Sequence, residues 1–322
     1  MILKSDKTWS KDWVAEWFPI LRLHGEFTDI VFGRVSKQEA PEFFYLDHGH
    51  YDGIGGFQQL LAEKEGINLP APQLKELKSN FLKRILGFIL YLLDSRVRHI
   101  SWNKRQTEGS FKRNHPIPLV LGQQETTKLC EVAKQGHSSV TGLLLGTLDK
   151  VVRDTLQNSK QKNIWLLPIN MRGQVERVDS KTNHASYISI KTLEHEAATH
   201  ISLKIKMAIE RRYHWAAWWG IVLGQKIGIQ GMQKIMAKYY AKKHSWTGTV
   251  SNLGIWGKNN TPSHGGWFFC PPVTRAHPVA LGCVTFSGKM GLCLQIHSSL
   301  DIDGSVAQDM AQKLRTELLK ES

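Results

Sequence analysis

Apolar positions recur along this chain with two spacings, every three to four residues and every second residue, and the two kinds of segment alternate. Trp9, Trp13 and Trp17 stand one helical turn apart and predict a helix over 8–18 whose tryptophan face packs on the core. Residues 27–35 and 41–47 read as strands, the second carrying the unbroken run Phe43-Phe44-Tyr45-Leu46 of a central strand. A helix from about Phe57 to Lys64 and a loop over 66–73, marked by Gly66, Pro70 and Pro72, come next. Leu74, Leu77, Phe81, Ile85, Phe88 and Leu92 predict a long helix over 74–99, and the polar, basic residues 101–116 predict a linker.

Beyond the linker the pattern gives a strand at Ile117–Leu121. A helix then ends at Leu156, capped by Ser138 and Ser139 and striped by Val140, Leu144, Leu148, Val151 and Val152. Strands are predicted over 163–169, 185–192 and 247–253. A helical stretch over 194–243 is weakened by Gly220, Gly224, Gly228 and Gly231. A hairpin turning at Ser287-Gly288-Lys289 joins 279–286 to 292–298, and Val306, Met310, Leu314 and Leu318 mark a final helix. No internal repeat is present. Alternating strands and helices with hairpins among them predict an α/β or α+β sandwich of mixed sheets flanked by helices.

Composition narrows the classes. A chain of 322 residues, 41% hydrophobic, can bury a large core as one domain or two half-sized ones. Lys and Arg exceed Asp and Glu by 42 − 28 = +14, which favours polyanionic partners: nucleic acid, an anionic membrane, coenzyme A or an acidic carrier protein. The basic residues are spread out and no nucleic-acid module is recognisable, so no nucleic-acid partner is expected. Cys130, Cys270, Cys283 and Cys293 form no C-x-x-C pair and read as buried reduced thiols. No secretory signal follows Met1, and the longest apolar run, Ile85–Leu93, is too short to span a bilayer, which predicts a cytoplasmic protein. The basic stretch 201–243, with Trp215, Trp218 and Trp219, has two readings: a peripheral membrane contact, or a packed helix with a solvated basic face.

The candidate chemistry lies in Leu46-Asp47-His48-Gly49-His50-Tyr51-Asp52-Gly53-Ile54-Gly55-Gly56. In one reading His48, held at a strand end by a tight turn, acts as a general base; Asp52 fixes the local structure by pairing with an arginine, and Gly53 permits the turn into the next helix. In a second, His48-x-His50-x-Asp52 is a zinc triad with the spacing of metallo-β-lactamase-like hydrolases, although Gly53 stands where their last histidine would be. In a third, one or both histidines are structural.

The ordered context is specific. His48-x-x-x-Asp52-Gly53, Pro168-Ile169-Asn170-Met171-Arg172 and Thr249-Val250-Ser251-Asn252-Leu253-Gly254, with the C-terminal hairpin and helix, resemble the chloramphenicol-acetyltransferase-like H-x-x-x-D-G superfamily. That superfamily includes condensation domains and wax ester synthases/diacylglycerol acyltransferases, and the resemblance runs from about residue 40 to the end. It implies a chloramphenicol-acetyltransferase-like fold of two pseudo-related lobes, here an abbreviated N-terminal lobe over 1–116 and a C-terminal lobe over 117–322. It implies acyl transfer from an acyl-coenzyme A or acyl carrier protein thioester to a hydroxyl or amine, of a small molecule or a lipid, with no bound metal or permanent cofactor. His48 would be the base, Asp52 and Arg172 its structural support, and Ser251, Asn252 and His50 residues of the substrate tunnel. A homo-oligomer with sites between subunits and a catalytically inactive scaffold both occur within such a family's range. Two departures stand out: Asp47 replaces a first histidine and is expected to raise the pKa of His48, and only 47 residues precede His48.

Overall fold

The computed structural model describes residues 14–36, 40–73, 81–94, 100–103, 116–157, 161–175, 179, 181–241, 246–257, 261 and 265–320. Helix α1 (Trp17–Leu23) leads into the antiparallel hairpin of β1 (Asp29–Val35) and β2 (Glu42–Asp47), and α2 (Gly53–Glu65) leaves that hairpin through the His48 turn. Most of the helix predicted over 8–18 lies outside the described residues; Trp17 opens α1 and its indole donates to the Ile221 carbonyl at 2.8 Å. The helix α3 (Phe81–Asp94) is the described part of that predicted over 74–99.

The larger sheet takes six strands: β3 (Ile117–Leu121), β4 (Asn163–Asn170), β5 (Ala185–Thr192), β6 (Gly248–Trp256), β8 (Val279–Phe286) and β9 (Lys289–Ile296), in the order β3-β9-β8-β6-β4-β5. The β4–β6 and β6–β8 pairs are parallel and the others antiparallel, so the sheet is mixed. Its β8–β9 hairpin is two residues tight, because Ser287 and Gly288 both take positive φ, as a type I′ turn requires. The remaining strand, β7 (Gly266–Cys270), joins β1 to give the small antiparallel sheet β2-β1-β7, which thus draws on both sides of residue 116. β2 sits at the edge of that sheet with Tyr45 exposed; its apolar run marks an edge strand, because α2 covers it on one face only.

Helices α4 (Gln123–Gln135), α5 (Val140–Leu156) and α9 (Ser305–Lys320) pack on one face of the larger sheet. The Ser139 side chain caps α5 by accepting from the Gly142 amide. Asp149 of α5 anchors the sheet: its carboxylate accepts from Arg153, Asn163, Trp165 and Thr192, all within 2.8 Å. The small sheet covers the other face. There a Cβ on Gly282 or Gly291 would come within 1.8 Å of a β7 backbone oxygen, so the two sheets meet backbone to backbone where only glycine fits. This two-sided cover explains why β8 is buried at every position.

Among the described residues the stretch 194–243 forms α6 (Ala198–Glu210), α7 (Tyr213–Val222) and α8 (Gly224–Ala241), the last broken at Gly228, whose φ of 66° is not helical. Trp215 and Trp218 are buried against Val14 and Met171, so these tryptophans are core residues and not a lipid-facing row. Among the described residues no helix is long and apolar enough to cross a membrane. Cys270, Cys283 and Cys293 are buried free thiols, and Cys130 is half-buried.

Candidate active site

The His48 turn is built by its neighbours. Asp47 ends β2 and its carboxylate accepts the Gly49 amide at 2.8 Å, while the Tyr51 amide bonds back to the Asp47 carbonyl at 3.0 Å. Arg22 pairs with the same carboxylate. Burial opposes its ionisation, but the Gly49 amide and the Arg22 guanidinium hold Asp47 below the usual carboxylate range.

His48 itself lies under Phe18, with ring centroids 4.6 Å apart. Its Nδ1 is 2.8 Å from the Tyr51 carbonyl oxygen. A carbonyl can only accept, so Nδ1 carries the hydrogen and the neutral ring presents Nε2 as a lone pair. Burial lowers the pKa of His48 and outweighs the opposing pull of the Tyr51 carbonyl and of Asp52 and Asp47. The upward pull expected from Asp47 is present, but desolvation outweighs it. The result is a histidine that is neutral at pH 7 and already in its basic form.

Asp52 is turned away from this chemistry. It is buried and caps α2 through the Gly55 amide at 2.8 Å. Its two oxygens receive both terminal nitrogens of Arg172, at 2.7 and 2.9 Å, and the His184 amide at 2.8 Å. Arg172 follows β4, is buried as well, and donates further to the Thr182 carbonyl at 3.1 Å and to Asn170 at 3.2 Å. The pair thus ties the start of α2 to the end of β4 and fixes the geometry of the intervening turn.

A segment not singled out in the sequence completes the clamp. Tyr51 bridges Thr182, and the Asn183 amide nitrogen donates to the His48 carbonyl at 3.0 Å and lies 3.4 Å from His48 Nδ1. Thr182-Asn183-His184 precedes β5 and carries no periodicity; an Asn-His pair at a strand entry was the one signal available. Gly55 lets this segment approach, since a Cβ there would lie 2.0 Å from the Lys181 carbonyl oxygen. Gly53 is the first residue of α2 and has no left-handed backbone; a Cβ there would meet Leu253 at 2.6 Å, so glycine serves close packing and not the turn.

That contact brings β6 to the motif. Among the described residues β6 pairs with β4 only at Gly248 and Thr249, then follows β8 alone to a bulge between Asn252 and Ile255. Ser251 is buried in the splayed part, and Asn252 donates to Thr141 at 3.1 Å while accepting from the Gly254 amide. His50 is placed elsewhere: its side chain is 75% exposed, 3.7 Å from Asp47. A tunnel residue is shielded, so this position is at odds with the role expected of His50. The zinc triad is not assembled either. Asp52 is saturated by Arg172 and amides, His50 faces solvent, and no group of three His, Cys, Asp or Glu among the described residues could hold a metal.

No protein-family model matches the chain, and no curated protein matches it in sequence. Solved structures do share its fold. A nonribosomal peptide synthetase is similar over 87% of this chain and 31% of its own, at 12% identity and a TM-score of 0.57. The first condensation domain of the CDA synthetase is similar over 87% of this chain and 63% of its own, at 9% identity and 0.52. A trichothecene 15-O-acetyltransferase from Fusarium sporotrichioides is similar over 98% of this chain and 76% of its own, at 14% identity and 0.53. The chain thus has the fold of condensation domains and chloramphenicol-acetyltransferase-like acyltransferases, and spans about a third of the length of the first of these relatives.

Proposed function

We propose that the protein transfers an acyl group from a thioester to a hydroxyl or amine, with His48 as general base. The observation that carries this reading is the state of His48, neutral by burial and with Nδ1–H committed to the Tyr51 carbonyl. Nε2 then takes the proton of the acceptor as its oxygen or nitrogen attacks the thioester carbonyl carbon. The tetrahedral oxyanion collapses, the carbon–sulfur bond breaks, and the proton on Nε2 passes to the leaving thiolate. The chain at Ser251 and Asn252, next to the motif through Leu253, would line the path of the acyl group. Asp52, Arg172 and Asn183 hold the base in place and touch no reactant. The excess of basic residues suits coenzyme A phosphates, and likeness to nonribosomal peptide synthetases keeps a carrier-protein thioester as an equal donor.

Free-thiol release from a panel of acyl-coenzyme A esters, with and without pooled alcohols and amines, tests the reading. Acceptor-dependent release should fall about 10²–10⁴-fold in His48→Ala, as for loss of a general base. His50→Ala should leave it unchanged. Full activity in His48→Ala would overturn the assignment.

A further inference from the structure

Helix α3 is apolar on two faces, and among the described residues only one of them is packed against a neighbour. On the inner face the Arg84 guanidinium lies 3.6 Å from the Trp215 ring centroid, Phe88 packs on Trp219, and Tyr91 on Tyr213. At Gly87 a Cβ would come within 2.2 Å of the Arg211 carbonyl oxygen, so the helix is seated closely on α7. On the outer face Leu82, Leu86, Ile89 and Leu93 follow one another at helical spacing and are 72, 57, 50 and 58% exposed, with Leu92 beside them at 54%. Such a row on a helix that is already packed is an interaction surface rather than a misplaced core.

Charge selects the occupant. Between residues 75 and 113 the sequence holds ten Lys or Arg against three Asp or Glu, 10 − 3 = +7, half of the net +14 of the whole chain. Two copies of so basic a region repel one another, whereas an anionic surface attracts it. The described helix has 14 residues, about 21 Å at 1.5 Å per residue and short of a bilayer's hydrocarbon core. It therefore suits a helix lying in the plane of the interface with its leucines toward the lipid. We infer that the outer face of α3 docks the protein on an anionic lipid surface. The chain entering α3 is fastened beside the candidate site, where Asn170 donates to the Pro72 carbonyl at 2.6 Å, so docking would hold that site near the lipid. The inference is independent of the acyl-transfer reading, because it is tested by binding alone.

The test is co-sedimentation of the full chain with phosphatidylcholine vesicles, with and without phosphatidylglycerol. Binding is expected only with the anionic vesicles, weakening severalfold as salt is raised. Leu86→Glu/Leu93→Glu should lose at least about tenfold per leucine in partitioning, with an unchanged thermal midpoint because both side chains are more than half exposed. If that variant shows no cooperative unfolding, the single change Leu93→Gln reads the same loss on a smaller scale. No binding to anionic vesicles at low salt, or equal binding by folded variant and wild type, would overturn the inference. So would a concentration-dependent dimer that these substitutions dissolve, which would give the face to a second copy of the chain.

Discussion

Asp52→Ala separates scaffold from chemistry at this site. The carboxylate is buried and accepts from both terminal nitrogens of Arg172 and from two backbone amides. Removing it takes this carboxylate from a buried guanidinium, a loss of about 3–5 kcal/mol, and uncaps α2, a further loss of about 1 kcal/mol. At about 2–4 °C per kcal/mol for a chain of this size class, the thermal midpoint should fall by roughly 10 °C or more. The double variant Asp52→Ala/Arg172→Met removes the stranded charge together with its partner and should regain most of that loss. Circular dichroism melts of wild type, single and double variants at one pH read all three. A midpoint for Asp52→Ala within about 2 °C of wild type, with transfer abolished, would refute the scaffold role and move Asp52 into the reaction. A double variant no more stable than the single would refute the ion-pair accounting.

The remaining predictions concern His48, Gly55 and His277. Under the proposed mechanism His48 acts as the unprotonated base, and burial lowers its pKa from 6.5, so the transfer rate should stay on its plateau as pH falls through 6.5 and decline only below it; a half-maximum above 6.5 in the pH–rate profile would contradict this. Gly55→Ala would drive a Cβ into the Lys181 carbonyl, and should destabilise by about 1–3 kcal/mol or more in urea titrations while misplacing Asn183. His277 stacks on Trp246 at 4.6 Å and burial pushes its pKa down to about 4. The unfolded chain therefore takes up a proton that the folded chain refuses, so stability is full above pH 6.5 and is lost as pH falls towards 4. His277→Phe keeps the stacking and should flatten the urea midpoint over that range; an unchanged slope would place the acid sensitivity elsewhere.

Elements with strong periodicity were legible in the sequence. The α5 stripe of Leu144, Leu148, Val151 and Val152 is buried as spaced, and the β8–β9 hairpin turns within the expected Ser287-Gly288-Lys289 but in two residues, so that β9 starts at Lys289 and not at 292, because Ser287 accepts a left-handed backbone. Helix α4 leaves little trace in the sequence because its fully buried residues, Thr126, Leu129 and Ala133, make too sparse an apolar row among polar neighbours. The run Phe43–Leu46 suggested a central strand, yet apolarity reports burial against any neighbour and not position within a sheet. At the site, His48 and Asp52 are visible because the turn chemistry is local. Asn183 is not, since its role is a contact across 135 positions of sequence that no local pattern records.

The pairing of β1 with β7 has a consequence for how the molecule comes into being. Val35 and Gly266 are adjacent in the sheet but about 230 residues apart along the chain. During synthesis the β1–β2 hairpin therefore leaves the ribosome long before its third strand exists, and a lone hairpin is marginal in water. His48 hangs from the end of that hairpin. The His48 turn should be among the last parts to become rigid, and a nascent chain halted before residue 266 should carry every residue of the motif without a formed site.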